Sequence, residues 1–121
     1  MSKILIVDDS PAQAGFMRAA LQQAGYAPVT ISDPCQVEAT IARERPQLIL
    51  LDVVMPTRNG FQVCRDIKAH AEYGRIPILL VTSKDSESDR YWARQQGADG
   101  FVAKPFTSEQ LLTQVQTFLR G

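Results

Sequence analysis

The sequence predicts an α/β fold built from five β/α units, in which a parallel sheet lies between two layers of helices. Short apolar runs alternate with longer segments of helical periodicity, and this order is typical of parallel sheets. The apolar runs are rich in Ile, Leu and Val without polar alternation, as expected for strands buried on both faces. The 121 residues are enough for one core and contain no linker or internal repeat, so a single domain is expected over residues 1–121.

Five apolar runs are predicted to be the strands. In chain order they comprise residues 3–7, 27–31, 47–51, 77–81 and 100–103. A right-handed α/β chain that starts with a central strand commonly takes the strand order 2-1-3-4-5, which is the flavodoxin-like topology of a three-layer sandwich. In that order, the first and third strands are neighbours.

Each helix is predicted from a polar start signal that precedes an apolar stripe. The start signals are Ser10-Pro11, Asp33-Pro34, the turn at Asn59-Gly60, Ser86 with Asp89, and Thr107 with Gln110. A proline in the first turn and capping pairs at this spacing are typical of helix N-termini. Expected helix ends lie at Gly25, Pro46 and Gly97. The first stripe contains Phe16, Met17, Ala20, Leu21 and Ala24, and the fifth contains Leu111, Leu112, Val115, Phe118 and Leu119.

Composition and charge exclude several classes of function. The 13 Lys and Arg residues balance 13 Asp and Glu residues, so the chain lacks the basic surface that nucleic acids and anionic membranes require. No apolar run approaches the length of a membrane span, and the N-terminus shows no signal-peptide pattern. Two cysteines, Cys35 and Cys64, do not make a disulfide framework. We therefore expect a cytoplasmic protein that binds neither nucleic acid nor membrane.

Four of the predicted strands lead into polar side chains suited to phosphate chemistry. Asp8 and Asp9 follow the first strand, Asp52 the third, Thr82 the fourth and Lys104 the fifth. The carboxyl ends of parallel strands meet at one edge of a sheet, and the order 2-1-3-4-5 brings the first and third strands together there. We therefore expect Asp8, Asp9 and Asp52 to share one pocket with the hydroxyl and the ammonium.

The chemistry of this pocket follows from its charges. Three carboxylates at one place repel each other unless a cation neutralises them. Mg²⁺ is the natural cation, because it prefers oxygen ligands and binds through one or two carboxylates together with phosphate oxygens. A carboxylate so placed can attack phosphorus as a nucleophile, while Lys104 supplies positive charge and Thr82 a hydrogen bond to the transferring group. The residues thus predict a Mg²⁺ site beside an aspartate that carries a phosphoryl group.

The motifs at the strand ends resemble those of one protein family. They are Ile-Val-Asp-Asp-Ser, Leu-Leu-Asp-Val-Val-Met-Pro with Asn59-Gly60, Val-Thr-Ser, Gly-Ala-Asp-Gly-Phe and Ala-Lys-Pro-Phe. From Lys3 to Leu119 the chain resembles a response regulator receiver domain of the CheY type. The resemblance implies a switch of a two-component system. Such a switch accepts a phosphoryl group from a histidine kinase or a histidine phosphotransfer protein and then binds a downstream target protein.

The resemblance also implies a phosphoacceptor and a set of metal ligands. Asp52 is the implied phosphoacceptor. The implied ligands of Mg²⁺ are Asp8, Asp9, Asp52 and the backbone carbonyl of Val54.

Further positions are implied by the same resemblance. Thr82 and Lys104 contact the phosphoryl group, and the peptide bond from Lys104 to Pro105 is cis. Thr82 and Phe101 form the switch: phosphorylation draws the hydroxyl inward and the aromatic ring fills the vacated space. The face made of the fourth helix, the fifth strand and the fifth helix then changes shape, and this face is expected to bind the target.

Two features distinguish the chain within the family that it resembles. The segment 83–97 resembles stand-alone receivers of type IV pilus motility and phototaxis clusters. Tyr91 and Trp92 within it are adjacent on the predicted fourth helix, so one of them is expected to pack inward. Val54 is apolar where a polar residue helps to orient attacking water, and Lys84 is basic where an acid can sit. These departures lead to the hypothesis of a long-lived phosphorylated state.

Other functions fit parts of the pattern. An aspartate-nucleophile phosphatase of the haloacid-dehalogenase type also uses Mg²⁺ and lysine, but it requires Asp-x-Asp after its first strand and a cap domain. A phosphorylation-independent docking module would not need the residues for phosphate chemistry, yet this chain has all of them. A flavodoxin-like cofactor carrier needs a phosphate loop after its first strand, and this chain has none. We expect a monomer that is not an enzyme beyond self-catalysed phosphorylation and dephosphorylation of its aspartate.

Overall fold

The computed structural model describes residues 2–119, which form strands and helices in the predicted alternation. The strands are β1 (Lys3–Val7), β2 (Ala27–Ile31), β3 (Leu48–Asp52), β4 (Ile78–Thr82) and β5 (Gly100–Ala103). The helices are α1 (Pro11–Gln23), α2 (Val37–Glu44), α3 (Gly60–Lys68), α4 (Glu87–Gln95) and α5 (Ser108–Leu119). A short 3-10 helix, Pro34–Gln36, precedes α2.

The five strands form one parallel sheet in the order β2-β1-β3-β4-β5, so the predicted fold class is confirmed. Every residue of β3 and β4 is buried, because helices cover both faces of the sheet centre. Alternate strand residues point to opposite faces. Leu5 and Ile49 therefore join a core under α2, α3 and α4, whereas Ile4 and Leu48 join a second core under α1 and α5.

Predicted element boundaries were right at some places and wrong at others. The strands β3 and β4 begin and end one residue later than predicted, because Asp52 pairs with Val81 and Thr82 with Ala103 in the sheet. The second helix does not continue from Asp33 as one α-helix. Its first turn is 3-10, and the α-helix proper starts at Val37.

The inward stripes of two helices differ from the predictions. Phe16 of α1 is 43% exposed, and Ala24 lies beyond the helix end and is also exposed. Tyr91 and Trp92 of α4 are 57% and 52% exposed, so the prediction that one of them packs inward was wrong. The residue of α4 that packs in the core is Ala93, and both rings lie outside.

The predicted helix caps are present. The Ser10 hydroxyl accepts a hydrogen bond from the backbone N–H of Gln13, and Ser86 forms a reciprocal capping box with Asp89. These caps satisfy backbone donors that a helix N-terminus leaves free. Within residues 2–119, no helix combines the length and apolarity needed to cross a membrane.

Candidate functional site

The carboxyl edge of the sheet gathers the predicted polar residues. Val7 of β1 pairs with Leu51 of β3. The residues that follow them, Asp8 and Asp52, therefore lie side by side at this edge. Thr82 is the last residue of β4, and the backbone N–H of Lys104 donates to its carbonyl at 2.9 Å. The strand order and register alone therefore bring residues from four strands to one edge.

Three carboxylates form the centre of the site. Asp8, Asp9 and Asp52 each offer an oxygen, and these oxygens lie within 4.8 Å of one another. Asp8 and Asp52 are only 2% and 6% exposed, while Asp9 is exposed to solvent. The Oδ1 atom of Asp8 accepts a hydrogen bond from the Ser10 N–H at 2.9 Å, but its buried Oδ2 has no hydrogen-bond partner among residues 2–119. A buried carboxylate oxygen without a donor is costly, and it indicates a place for a cation.

Lys104 provides the positive charge at this edge. Its Nζ lies 3.3 Å from Oδ1 of Asp52 and 3.7 Å from Oδ2 of Asp8. Three carboxylates and one ammonium leave a formal charge of −2. The residues present therefore fit a hard divalent cation such as Mg²⁺, which oxygen ligands of this kind bind.

The environment of Asp52 disfavours its charged form. Burial raises the pKa of Asp52 above its ordinary value, the negative charge of Asp8 raises this pKa further, and Lys104 offsets part of the effect. A carboxylate with weakly stabilised charge is a stronger nucleophile than a solvated one, and it gains more from a nearby cation.

The remaining predicted residues lie around this centre. Thr82 is buried, and its Oγ1 accepts a hydrogen bond from the Lys84 N–H at 3.1 Å. The peptide bond between Lys104 and Pro105 is cis. Phe101 of β5 is half-buried and lies on the side of the sheet that faces α4 rather than in the carboxylate cluster.

The loop between β3 and α3 carries Val54, whose side chain is exposed. The loop closes through a hydrogen bond from the Gly60 N–H to the Val53 carbonyl at 2.8 Å. A Cβ atom at Gly60 would lie 2.2 Å from the Asp52 carbonyl oxygen, so only glycine allows this close approach. The predicted Asn59-Gly60 turn thus positions the backbone that follows the phosphoacceptor candidate.

Two arginines near the site were not predicted. The guanidinium carbon of Arg90 lies 4.7 Å from the centre of the Phe101 ring, which places a cation over the predicted switch residue. Arg58, in the loop after Asp52, contacts carboxylates of α2 and α3. No local sequence pattern marks either residue, because both act through partners that are distant in the chain or on another element.

Comparison with known proteins identifies the family. The chain belongs to the response regulator receiver domain family, whose pattern matches residues 4–116. It is 38% identical over 121 residues to the protein PilH of Pseudomonas aeruginosa, and the match covers 100% of both chains. The Vibrio cholerae chemotaxis protein CheY4 has a TM-score of 0.93 and 34% identity, covering 98% of this chain and 99% of that one.

A third similar protein bears on the metal. The receiver domain of a Pseudomonas aeruginosa sensor histidine kinase has a TM-score of 0.89 and 29% identity, covering 99% of this chain and 98% of its own. Its crystal structure contains a magnesium ion coordinated in the active site cleft. Receiver domains in general bind Mg²⁺ at an acidic pocket. They interact with histidine kinases and downstream targets, and they are signalling proteins rather than classical enzymes. The predicted resemblance is confirmed, and the phosphatase and docking-module alternatives are not favoured.

Proposed function

We propose that this chain is a phosphorylation-dependent switch of a two-component system and that Asp52 accepts the phosphoryl group. One observation carries the proposal. The buried Asp52 ends β3 within 4.8 Å of two further carboxylates, and the Lys104 ammonium lies 3.3 Å away. This arrangement joins a nucleophile, a cation site and a fixed positive charge, which are the components that phosphoryl transfer needs.

The proposed transfer is a direct displacement. One carboxylate oxygen of Asp52 forms a bond to the phosphorus of a phosphohistidine on the donor protein, and the P–N bond breaks. Its electron pair returns to the imidazole nitrogen, which leaves a neutral imidazole when the other ring nitrogen carries a proton. Lys104 stabilises the charge on the phosphoryl oxygens, and Thr82 donates a hydrogen bond to one of them. Hydrolysis, in which water attacks phosphorus and the bond to Asp52 breaks, returns the switch to its starting state without another enzyme.

The proposed metal ligands are Asp8, Asp9, Asp52 and the Val54 carbonyl. Mg²⁺ would balance the formal charge of −2 that the three carboxylates and Lys104 leave together, and it would accept an oxygen of the phosphoryl group as a further ligand. The Oδ2 atom of Asp8 supports this assignment, because it is buried beside the other proposed ligands and no described residue donates a hydrogen bond to it.

The proposed output is a change on the face formed by α4, β5 and α5. Thr82 belongs to β4, and Phe101 lies on the neighbouring strand β5. When Thr82 turns toward the phosphoryl group, the ring of Phe101 moves into the vacated space, and the changed face binds a target protein. The exposed rings of Tyr91 and Trp92 on α4 offer anchors for such a partner.

The cellular setting is also a proposal. The end-to-end match with PilH and the resemblance of segment 83–97 to stand-alone receivers favour a type IV pilus motility pathway. We propose that the chain acts there in the cytoplasm as a single-domain monomer, phosphorylated by a histidine kinase or a phosphotransfer protein. Phosphotransfer rates from a pilus-cluster kinase and from a flagellar chemotaxis kinase would test the pathway, and a faster rate from the flagellar kinase would contradict it.

Labelling with acetyl phosphate tests the phosphoacceptor. Wild-type protein incubated with acetyl phosphate and Mg²⁺ is expected to gain one phosphoryl group, detected by mass spectrometry of the intact protein. Asp52→Ala is expected to remain unlabelled, while the control Asp85→Ala, which changes an exposed aspartate outside the carboxylate cluster, is expected to be labelled like wild type. Labelling that survives in Asp52→Ala would move the acceptor elsewhere.

Two further measurements separate the alternatives. Beryllofluoride with Mg²⁺ is expected to bind wild type, and failure to bind would favour a phosphorylation-independent docking module. Sustained turnover of p-nitrophenyl phosphate would favour a phosphatase, whereas a switch consumes its phosphodonor only as fast as its own aspartyl phosphate decays.

A further inference from the structure

The loop that follows the phosphoacceptor candidate is attached to two helices through one side chain. In the loop of residues 53–59, the guanidinium of Arg58 donates to both carboxylate oxygens of Glu38 on α2, with Nη1 at 2.8 Å from Oε1. Its Nη1 also donates to the carbonyl of Pro34 at 3.0 Å, and its Nη2 donates to Oδ2 of Asp66 on α3 at 3.0 Å. The Arg58 side chain is only 15% exposed as a result.

These contacts use the geometry that distinguishes arginine from lysine. The planar guanidinium binds the Glu38 carboxylate through two parallel hydrogen bonds and still reaches a second acid and a carbonyl. The two carboxylates raise the pKa of Arg58, and Arg58 lowers the pKa of Glu38. The bidentate geometry and the low exposure of the guanidinium hold Arg58 in place more firmly than a mobile surface pair would, although both acids are partly exposed.

The backbone of the loop needs such an attachment. Thr57 has φ of 68°, in the left-handed region that a β-branched residue rarely occupies. A strained conformation persists only where the surrounding structure holds it. Next to it, the N–H of Arg58 donates to the Pro56 carbonyl at 2.7 Å, so the turn and the side-chain attachment share one residue.

We propose that Arg58 is a positioning residue for the metal site: it ties the loop that carries Val54 to α2 and α3 and so presents the loop backbone to the cation. This inference rests on the proposed function, because it takes the Val54 carbonyl as a ligand. Arg58 is not among the residues proposed to contact the phosphoryl group or the cation, and its side chain bonds to Pro34, Glu38 and Asp66 instead. It acts through the loop whose ends lie at Asp52 and Gly60.

The test separates metal affinity from chemistry. Arg58→Ala is expected to weaken Mg²⁺ binding, measured by isothermal titration calorimetry without a phosphodonor, by about tenfold, as is usual when a residue that orients a metal ligand is lost. The Mg²⁺ concentration for half-maximal acetyl-phosphate labelling is expected to rise by about the same factor. The labelling rate at saturating Mg²⁺ stays near that of wild type, because Asp52 and Lys104 are unchanged.

A second readout needs no metal and no phosphodonor. The Gly60 N–H, which closes the loop onto Val53, is expected to exchange with deuterium faster in metal-free Arg58→Ala than in wild type. Arg58→Lys keeps the charge without the planar fork and is expected to fall between the two in Mg²⁺ affinity. Arg43→Ala is the matched control, because this exposed arginine pairs with Glu44 on the same helix as Glu38.

The outcomes distinguish this inference from the proposed function. If wild type neither binds Mg²⁺ nor is labelled, the proposed function fails. If wild type does both and Arg58→Ala has the Mg²⁺ affinity and the Gly60 exchange rate of Arg43→Ala, only the role of Arg58 is overturned. Should Arg58→Ala not fold, Glu38→Gln and Asp66→Asn remove its partners one at a time. Wild-type Mg²⁺ affinity in both of these variants overturns the inference equally.

Discussion

The buried carboxylate of Asp52 is expected to make the metal-free protein less stable than it would be without that charge. In Asp52→Asn the side chain keeps its shape and its acceptor oxygen for Lys104, but the negative charge is gone. Two unit charges 4.8 Å apart, the largest separation within the carboxylate cluster, repel by about 3 kcal/mol at an effective dielectric constant of about 20. On the same scale, the attraction of the Lys104 ammonium 3.3 Å away is about 5 kcal/mol, so its loss exceeds the relief from Asp8 alone. Burial is the largest cause of the raised pKa of Asp52, and it makes the neutral side chain the more favourable one in the folded protein. We therefore expect the free energy of unfolding to rise by about 1 kcal/mol near neutral pH.

The difference depends on pH in a defined direction. The pKa of Asp52 is raised in the folded protein, first by burial and then by the charge of Asp8. Above the raised pKa the carboxylate is charged in both the folded and the unfolded chain, so the full destabilisation is present. As the pH falls through the raised pKa, the folded protein takes up a proton at Asp52 and the destabilisation decreases. Below the unfolded pKa of about 4, both states are protonated and the advantage of Asp52→Asn disappears.

Urea unfolding followed by circular dichroism, with EDTA present, measures this difference at neutral pH and near pH 4. Comparing the two proteins cancels the titration of the groups that do not interact with Asp52. Glu109→Gln, which removes an exposed carboxylate from α5, is the control and is expected to change stability little at either pH. A variant less stable than wild type at neutral pH, or a difference that stays constant as the pH falls, would refute the reasoning.

Three other substitutions have defined outcomes. Gly60→Ala places a Cβ atom 2.2 Å from the Asp52 carbonyl oxygen, and urea unfolding is expected to show a loss of about 1–3 kcal/mol; wild-type stability would contradict the clash. Arg90→Ala removes the cation over the Phe101 ring and is expected to lower the free energy of unfolding by about 0.5–1 kcal/mol, which Arg90→Lys partly restores. Val54→Asn is expected to shorten the lifetime of the aspartyl phosphate, measured by decay after removal of acetyl phosphate. An unchanged short lifetime in both proteins would discard the hypothesis that Val54 slows hydrolysis.

The fold was predictable because the strands of a parallel sheet are marked by composition rather than by long-range contacts. Runs such as Leu48–Asp52 are apolar on both faces, and helix caps such as Ser10 mark where each helix begins. The topology then follows from the handedness of β/α units. What periodicity does not specify is the angle of a helix on the sheet. Phe16 and one of the pair Tyr91 and Trp92 were therefore placed near the core, although all three rings are exposed.

The centre of the site was predictable for a related reason. Asp8, Asp52 and Lys104 each follow or end a strand, so the sheet itself brings them together once the strand order is known. The contacts of Arg58 and Arg90 were not predictable in this way. Long side chains reach partners on other elements, and Arg58 pairs with a residue 20 positions earlier in the chain. Such pairs depend on loop geometry that no local pattern records.

The electrostatics of the edge explain why one set of residues serves both metal binding and phosphoryl transfer. Asp8 and Asp52 are buried where their charges are only partly neutralised by Lys104, so the metal-free pocket holds unfavourable free energy. A divalent cation relieves it, and this relief favours binding of the metal without any dedicated cage of ligands. In the proposed function, transfer of a phosphoryl group to Asp52 would move negative charge outward from the buried carboxylate to the phosphoryl oxygens, where Lys104 and Thr82 would stabilise it. The charge that lowers the stability of the metal-free protein thus also supplies the affinity for the cation that the proposed phosphoryl transfer requires.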